Sequence, residues 1–405
     1  MPTRVLDTDL AAGLEDHHDL AGYDHALVLL RSHGLPIGAV RLRCSNGTLL
    51  GADIADAIES DAAIRTRLTR DLVARTITAP HGDRPLPSWS VVIPTRDRTV
   101  ELQACLESVL AASPGGGEII VVDSAPADDR TERLVAQFPV RYLREDLPGP
   151  HRARSLGGSQ ATGEIVLFAD DDVFVDPMWI RTVLEQFSSR RVGAVTGLIF
   201  PFELETEAQE LFERHAGPSV RGFERRVFDA SSVAPARAGM VGSGANMAFR
   251  RDLIESLKLF QIDLGPDTQH GVSLSGEDTD ALYRTLAAGY QVVYEPGALV
   301  RHRHKTNPEA LRQTMVNWHG TGAFAMFSRW TLEHRDLQAV KVGLREFRQH
   351  HLHELARSVK KKPGAFPTSL VVAEIVGAIR GPFAYLASRR DGRRFRRQNK
   401  AGAVR

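Results

Sequence analysis

"LFADDDVF", residues 167–174, sets three consecutive carboxylates, Asp170, Asp171 and Asp172, at the end of the apolar run Ile165, Val166, Leu167 and Phe168. Four apolar residues without alternation read as a strand covered on both faces, and such strands belong to parallel sheets flanked by helices. Two unit charges about 4 Å apart repel by roughly 4 kcal/mol at an effective dielectric near 20, so acids clustered beside a buried strand require compensation. Positive charge is expected close by.

Outward from this stretch, short apolar runs alternate with helical patterns. "SVVIPT" (90–95), "EIIVVD" (118–123), "VRYLRE" (140–145) and "VGAVTGLIF" (192–200) read as strands. Between them "VELQACLESVLAAS", "DRTERLVAQF", "RARSLGGSQA" and "PMWIRTVLEQF" read as helices. The alternation predicts an α/β domain over 89–306, a mostly parallel sheet with helices on both faces. Ligands of such sheets sit outside the carboxyl ends of the strands. That rule brings "PTRDR" (94–98), Asp123 and the aspartate triplet to one rim, because each directly follows a strand.

Before this domain, "ALVLLRSHGLPIGAVRL" (26–42) reads as two apolar runs around a Gly-Leu-Pro turn, and 49–77 reads as helical. A small α+β module over 1–78 and a Pro/Gly-rich linker over 79–88 are expected. A helical extension with a basic tail is expected over 307–405, with Asn307 capping its first helix and Trp318 and Trp330 as packing residues. At 405 residues the chain is long enough for a large core plus appendages, and 42% hydrophobic with 25% charged residues is ordinary for a globular protein. A net charge of +1 gives no global sign of nucleic-acid binding. The two cysteines, Cys44 and Cys105, offer neither zinc spacing nor a disulfide framework, which favours a reducing, cytoplasmic setting. The N-terminus lacks the basic start and apolar core of a secretory signal, and no stretch of about 20 apolar residues is read, so neither export nor a membrane span is expected.

Each candidate residue has a bland alternative. Acids at a strand end are often a solvated turn, but three on a ligand rim suit Mg²⁺ or Mn²⁺ carrying a diphosphate. Asp123 is placed to accept hydrogen bonds from a base or ribose. Arg154, in "GPHRARSLG", suits a phosphate or a neighbouring carboxylate. In "SGEDTDALYRTLAAGY" (275–290), Ser275 and Asp278 form a capping pattern, yet Glu277 and Asp278 follow a polar, Gly-rich loop suited to covering a substrate, and one carboxylate can serve as general base. In "GALVRHRHK" (297–305), alternation puts Val300, His302 and His304 on one face, making His302 a candidate ligand of metal or diphosphate. The glycines of "GSGANMAFRR" (242–251) allow close backbone approach to a ligand.

The order "VVIPTRDR", "IIVVDSAPADDRT", "ARSLG", "GEIVLFADDD", "GSGANMAFRR", "GEDTDALYRTLAAGYQVVYEP" and "VRHRH" resembles family 2 glycosyltransferases of the Rossmann-like GT-A fold, over about residues 89–325. The resemblance implies a nucleotide-diphospho-sugar donor, Mn²⁺ or Mg²⁺, and inversion at the anomeric centre. It implies that Pro94, Thr95 and Arg96 meet the nucleotide and that Asp123 contacts the base, with Arg154, Asp170 and Asp171 also on the nucleotide-sugar. Asp170 and Asp172 match the D-x-D motif, with Asp172 as the direct metal ligand and His302 near metal and diphosphate. Asp278 matches the catalytic base of an E-D pair with Glu277. The sequence departs from the family's pattern at Ser155, where asparagine often follows the "AR" pair, and at Arg96, which replaces a frequent tyrosine.

Two rival readings use the same aspartates: a non-catalytic nucleotide-sugar-binding protein, and a Mg²⁺-dependent phosphohydrolase, against which Phe174 stands where Thr or Val is usual. Acceptor and donor sugar are not legible. At the C-terminus, "FPTSLVVAEIVGAIRGPFAYLAS" followed by "RRDGRRFRRQNK" reads as a helix docked on the catalytic domain with a solvated basic end. The alternative is peripheral attachment of 366–405 to the inner face of a membrane.

Overall fold

The computed structural model describes residues 2–77, 85–216, 221–260 and 276–402, with side chains as far as Arg390. Residues 79–84 of the expected linker, 217–220 and the loop at 263–275, with Ser275, lie outside the described residues.

The chain opens with a strand absent from the sequence reading, β1 (Thr3–Asp9), parallel to β2 (His25–Ser32), which pairs antiparallel with β3 (Leu35–Arg43). The β2–β3 turn sits at His33 and Gly34, with φ of 51° and 83°, just ahead of the expected Gly-Leu-Pro turn. Positive φ at both central residues matches the twist of a two-residue hairpin. The helical reading of 49–77 resolves into α1 (Gly51–Ser60) and α2 (Ala62–Ile77), broken at Asp61, whose Oδ1 accepts from the amides of Ala63 and Ile64. Ile54, Ile58 and Ile64 close the core of this unit against Val28 and Leu30. It leans on the larger sheet through Leu29, packed with Leu198, Phe200 and Leu299, and through Arg31–Asp176 (2.8 Å) and Arg41–Glu210 (3.0 Å) ion pairs.

The larger sheet contains β4 (Trp89–Thr95), β5 (Glu118–Ser124), β6 (Arg141–Glu145), β7 (Ile165–Ala169), β8 (Val173–Val175), β9 (Val192–Pro201), β10 (Arg226–Phe228), β11 (Asn246–Arg250) and β12 (Gln291–His302). Its order is β10-β12-β9-β11-β7-β4-β5-β6, with β8 on β12. The run β6-β5-β4-β7 is parallel, as is β9 with β12. β11 runs antiparallel between β7 and β9, which the glycine-rich reading of 242–251 did not identify as a strand. Every residue of β7 and β9 is buried, which is why neither shows alternation. One face is covered by α3 (Thr99–Ala111), α4 (Arg130–Val135) and α6 (Trp179–Glu185), and the other by α5 (Pro150–Gln160), α8 (Arg251–Ser256) and α9 (Glu277–Ala287); α7 (Glu207–Ala216) follows β9. Phe168, Phe249 and Phe260 pack ring to ring beneath the second layer; burying each is worth about 1.5–3 kcal/mol.

Beyond β12 the chain is helical: α10 (Pro308–Thr314), a π turn (Met315–Gly322), α11 (Ala323–Glu333), α12 (Leu337–Glu346), a second π turn (Phe347–Leu352), α13 (His353–Val359) and α14 (Thr368–Gly402). Asn307 caps α10 by accepting from the Glu309 amide at 2.8 Å, as read from the sequence. Trp330 is buried, stacked on Tyr283 and donating to Asp280, whereas Trp318 is 63% exposed, so its reading as a packing residue is corrected. The reading that no segment is long and apolar enough to span a membrane is also corrected. Thr368–Arg390, 23 residues with a mean hydropathy of 1.5, meets that length and composition, because helical continuity carries it through Glu374, Arg380 and Pro382. Only its inner side is buried, against the first π turn and α11.

Candidate functional site

β7 delivers the three aspartates to the rim, and each meets a different partner. Asp171 accepts from Thr95 Oγ1 (2.7 Å) and Arg98 Nη1 (2.5 Å). Asp172 faces Arg98 Nη2 (3.0 Å), His302 Nε2 (3.2 Å) and Lys305 Nζ (3.5 Å). Asp170 accepts from Arg154 Nη2 (2.5 Å). The compensation demanded by the sequence is therefore Arg98, Arg154 and Lys305. Of these, the sequence marks Arg154; Arg98 is one of two arginines in "PTRDR" that local pattern does not distinguish, and Lys305 lies beyond the strand end, where alternation no longer applies. Arg301 and Arg303 do turn to the other side, Arg301 to Asp7 and Arg303 over the Phe202 ring at 4.6 Å.

The electrostatics differ within three residues. Burial pushes Asp171 up to about 7, against the pull of Arg98. Burial raises Asp170 as well, opposed by Arg154. At Asp172 burial is outweighed by His302, Arg98 and Lys305, which hold its carboxyl well below the usual carboxylate range. Asp172 is thus the acid held ionised.

Arg154, 5% exposed, also donates through Nη1 to Glu277, at the start of α9. One guanidinium therefore ties the β7 rim to the E-D pair. Burial pushes Glu277 up to about 7, Arg154 opposing and Asp278 adding repulsion. Asp278 is half-buried; its Oδ2 accepts from the Gly244 amide (2.7 Å) and its Oδ1 from the Thr279 amide (2.7 Å). Because β11 is antiparallel, its N-terminal approach lies at the carboxyl end of β7, which is how Gly244 reaches the rim. A Cβ at Gly244 would lie 3.1 Å from Arg154 Nη2 and from Asp278 Cβ, so glycine is what admits the amide to Asp278.

On the β4–β5 side, Pro94 pairs with Val122 and Thr95 with Asp123. Asp123 is fully buried and accepts from Tyr142 Oη at 3.1 Å, while its Oδ1 has no partner among the described residues. Burial raises the Asp123 carboxyl and, with Asp123 beside it, pushes the Tyr142 hydroxyl up to about 12. An orphaned acceptor at this strand end fits a donor arriving with a ligand. Arg96 is not brought into the aspartate cluster: its side chain is 56% exposed, 3.9 Å from Asp97.

Asp170, Asp172 and His302 each offer a ligand atom, all within 4.8 Å of one another. Two carboxylates and one imidazole fit Mn²⁺, and Mg²⁺ with water filling the remaining positions. Five acids, Asp170, Asp171, Asp172, Glu277 and Asp278, share three fixed cations, Arg98, Arg154 and Lys305, and burial raises Asp170, Asp171 and Glu277, so a bound divalent ion would supply the positive charge that lets more of them ionise. Behind the set, His302 Nδ1 meets His304 Nδ1 at 3.0 Å, and His304 Nε2 meets Glu213 Oε2 at 2.9 Å. His304 is fully buried on its side-chain surface, so this second pair fixes the ring of His302; its contribution was not read from the sequence because Glu213 lies 91 residues away.

Residues 90–258 match the family model described as Glycosyl transferase family 2. The O-antigen chain rhamnosyltransferase WbaN of Salmonella anatum is 22% identical over 253 residues, 60% of this chain and 74% of that protein. The pre-mycofactocin glycosyltransferase of Mycobacterium tuberculosis is 30% identical over 250 residues, 60% of this chain and 49% of that protein, so the alignment spans about half of the relative's length. Among solved structures, the mannosyltransferase PcManGT from Pyrobaculum calidifontis in complex with GDP-Man and Mn²⁺ is similar over 78% of this chain and 93% of that chain, at 17% identity and a TM-score of 0.47.

Proposed function

We infer, from a chain whose residues 90–258 match the family 2 glycosyltransferase model, that the whole protein is an inverting, metal-assisted transferase of a sugar from a nucleotide-diphospho-sugar to an acceptor hydroxyl. The observation that carries this reading is the convergence of Asp170, Asp172 and His302 within 4.8 Å on the rim, tied by Arg154 to Glu277 beside Asp278. Asp123 accepts from the base or ribose through its orphaned oxygen, with Pro94, Thr95 and Arg96 along the nucleotide. Asp278 removes the proton as the acceptor oxygen bonds to the anomeric carbon and the bond to the diphosphate breaks, its electron pair leaving with the nucleoside diphosphate. Glu277 positions Arg154 and Asp170. Asp170, Asp172 and His302 would hold Mn²⁺ or Mg²⁺, which when bound offsets charge on the leaving diphosphate.

The test is nucleoside diphosphate release across a panel of nucleotide-sugars, with and without Mn²⁺. Wild type is expected to turn over only with the metal. Asp172→Asn is expected to lose about 100-fold or more, since metal charge stabilisation is worth several kcal/mol. Metal-independent turnover, or full activity in Asp172→Asn, overturns the metal assignment; binding without turnover favours the non-catalytic reading.

The outer side of α14 supports peripheral attachment to an anionic bilayer. Val372, Val376, Ile379, Phe383 and Leu386 are exposed at alternating spacings of four and three, forming one apolar stripe that leads into the arginine-rich tail. Wild type is expected to float with anionic vesicles and not with neutral ones, and Ile379→Asp/Phe383→Asp to stay in the pellet fraction. Equal recovery of both forms removes the membrane reading.

A further inference from the structure

A second set of imidazoles gathers away from the rim, where α14 crosses α7 and the two π turns. His215 Nε2, on α7, lies 3.1 Å from Glu374 Oε2, on α14. His350 Nε2 and His351 Nε2, both on the second π turn, lie 3.8 and 4.0 Å from Glu374 Oε1. The ligand atoms of His215, His350 and Glu374 are all within 4.8 Å of one another.

Three further observations separate this cluster from an ordinary polar contact. Glu374 is 3% exposed, yet among the described residues every ion-pair partner it has is a histidine rather than an Arg or Lys. His351 is 2% exposed and its Nε2, facing Glu374, has no hydrogen-bond partner among the described residues, a cost of about 1–3 kcal/mol unless something else fills that position. Consecutive residues of a regular helix diverge, and the wide π turn over Phe347–Leu352 lets His350 and His351 both approach one carboxylate; π turns of this kind recur at functional sites.

The fold also takes trouble to bring Glu374 in. Gly320 and Gly377 allow backbone contact between the first π turn and α14: a Cβ at Gly320 would lie 2.5 Å from the Glu374 carbonyl oxygen, and one at Gly377 would lie 2.2 Å from that of Val316. Phe366 stacks on the His215 ring at 3.9 Å and fixes its plane.

We propose that His215, His350 and Glu374, with His351 completing the shell, form a structural site for a divalent ion of the zinc class that clamps α14 onto α7. Three imidazoles and one carboxylate are borderline donors that suit Zn²⁺ in a closed tetrahedral shell, unlike the oxygen-rich set on the rim. Ligand atoms of such a shell stand roughly 3.3 Å apart; His215 and Glu374 already stand at 3.1 Å, while His350 and His351, at 3.8 and 4.0 Å from Glu374, would have to move inward on binding. α7 carries Glu213 on a different face, where it holds His304 behind His302. The clamp therefore also steadies the support of the rim, while the site itself stands whether or not the rim is catalytic.

The test uses the full chain, stripped with a chelator and titrated with Co²⁺ and then Zn²⁺. One equivalent of Co²⁺ is expected to give the intense visible bands of tetrahedral cobalt and to be displaced by Zn²⁺. Zn²⁺ at a hundredfold excess over its Kd is expected to raise the thermal midpoint by about 3 °C. His350→Gln, at a ring 38% exposed and so tolerated by the fold, is expected to weaken Zn²⁺ by about tenfold or more, and His215→Gln/His350→Gln to abolish the tetrahedral bands. Asp172→Asn is expected to leave both unchanged. No binding by wild type, an octahedral cobalt spectrum, or equal Zn²⁺ affinity in wild type and His350→Gln each overturns the proposal.

Discussion

Asp278→Asn is expected to lower kcat by about 10²–10⁴-fold while the Kd for nucleotide stays within about twofold, because a positioned general base contributes that much to the chemical step alone. The substitution keeps the size of the side chain and one carbonyl oxygen. It keeps a bond to either Gly244 or Thr279 and sets an amide group against the other N–H, where Asp278 has 2.7 Å contacts to both. The stability cost is about 1–3 kcal/mol, the penalty of one unsatisfied group. Turnover by nucleoside diphosphate release, binding by titration calorimetry and a melting curve separate the three quantities. Retained turnover would transfer the base role elsewhere, and Glu277 is a poor recipient: it is buried and engaged by Arg154, so Glu277→Gln is expected to act through position.

The largest effect on stability is expected from Arg154→Met. Its guanidinium is the shared partner of Asp170 and Glu277, and it is 5% exposed, so removal leaves two acids in a low-dielectric site without their cation. Breaking one partner of a buried ion pair costs about 3–5 kcal/mol, and for a chain of this length that lowers the melting point by about 4–6 °C. Arg154→Met/Glu277→Gln is expected to recover a good part of the loss, since it removes one of the stranded charges. Thermal and urea unfolding of the single and double variants check this. If both melt alike, Arg154 is not what makes the acids tolerable.

Legibility followed the range of the interaction. The strands β4, β5, β7 and β9 are legible because burial on both faces writes itself as uninterrupted apolar runs, and the rim follows because each acid directly succeeds such a run; β6, with no buried residue, is legible only from its place in the strand–helix alternation. β11 was missed: "NMAFR" is short and follows glycines, and its antiparallel insertion between β7 and β9 is a choice of neighbours rather than of local pattern. β1 was missed for the same reason, a seven-residue strand with three acidic or basic side chains that pairs only because β2 lies beside it.

What the sequence by itself determined is the α/β architecture, the acids of the rim and the demand for positive charge beside them, because burial, strand termination and Coulomb repulsion act over a few residues. Only the tertiary structure decided which cations answer that demand, Arg98, Arg154 and Lys305, which glycine reaches Asp278, and that Glu213 stands behind His302 through His304. The same holds for His215, His350, His351 and Glu374, which span 159 residues of chain and meet only where α14 crosses α7. Each of these contacts joins residues far apart in sequence, and short-range pattern carries no term for partners that packing alone brings together.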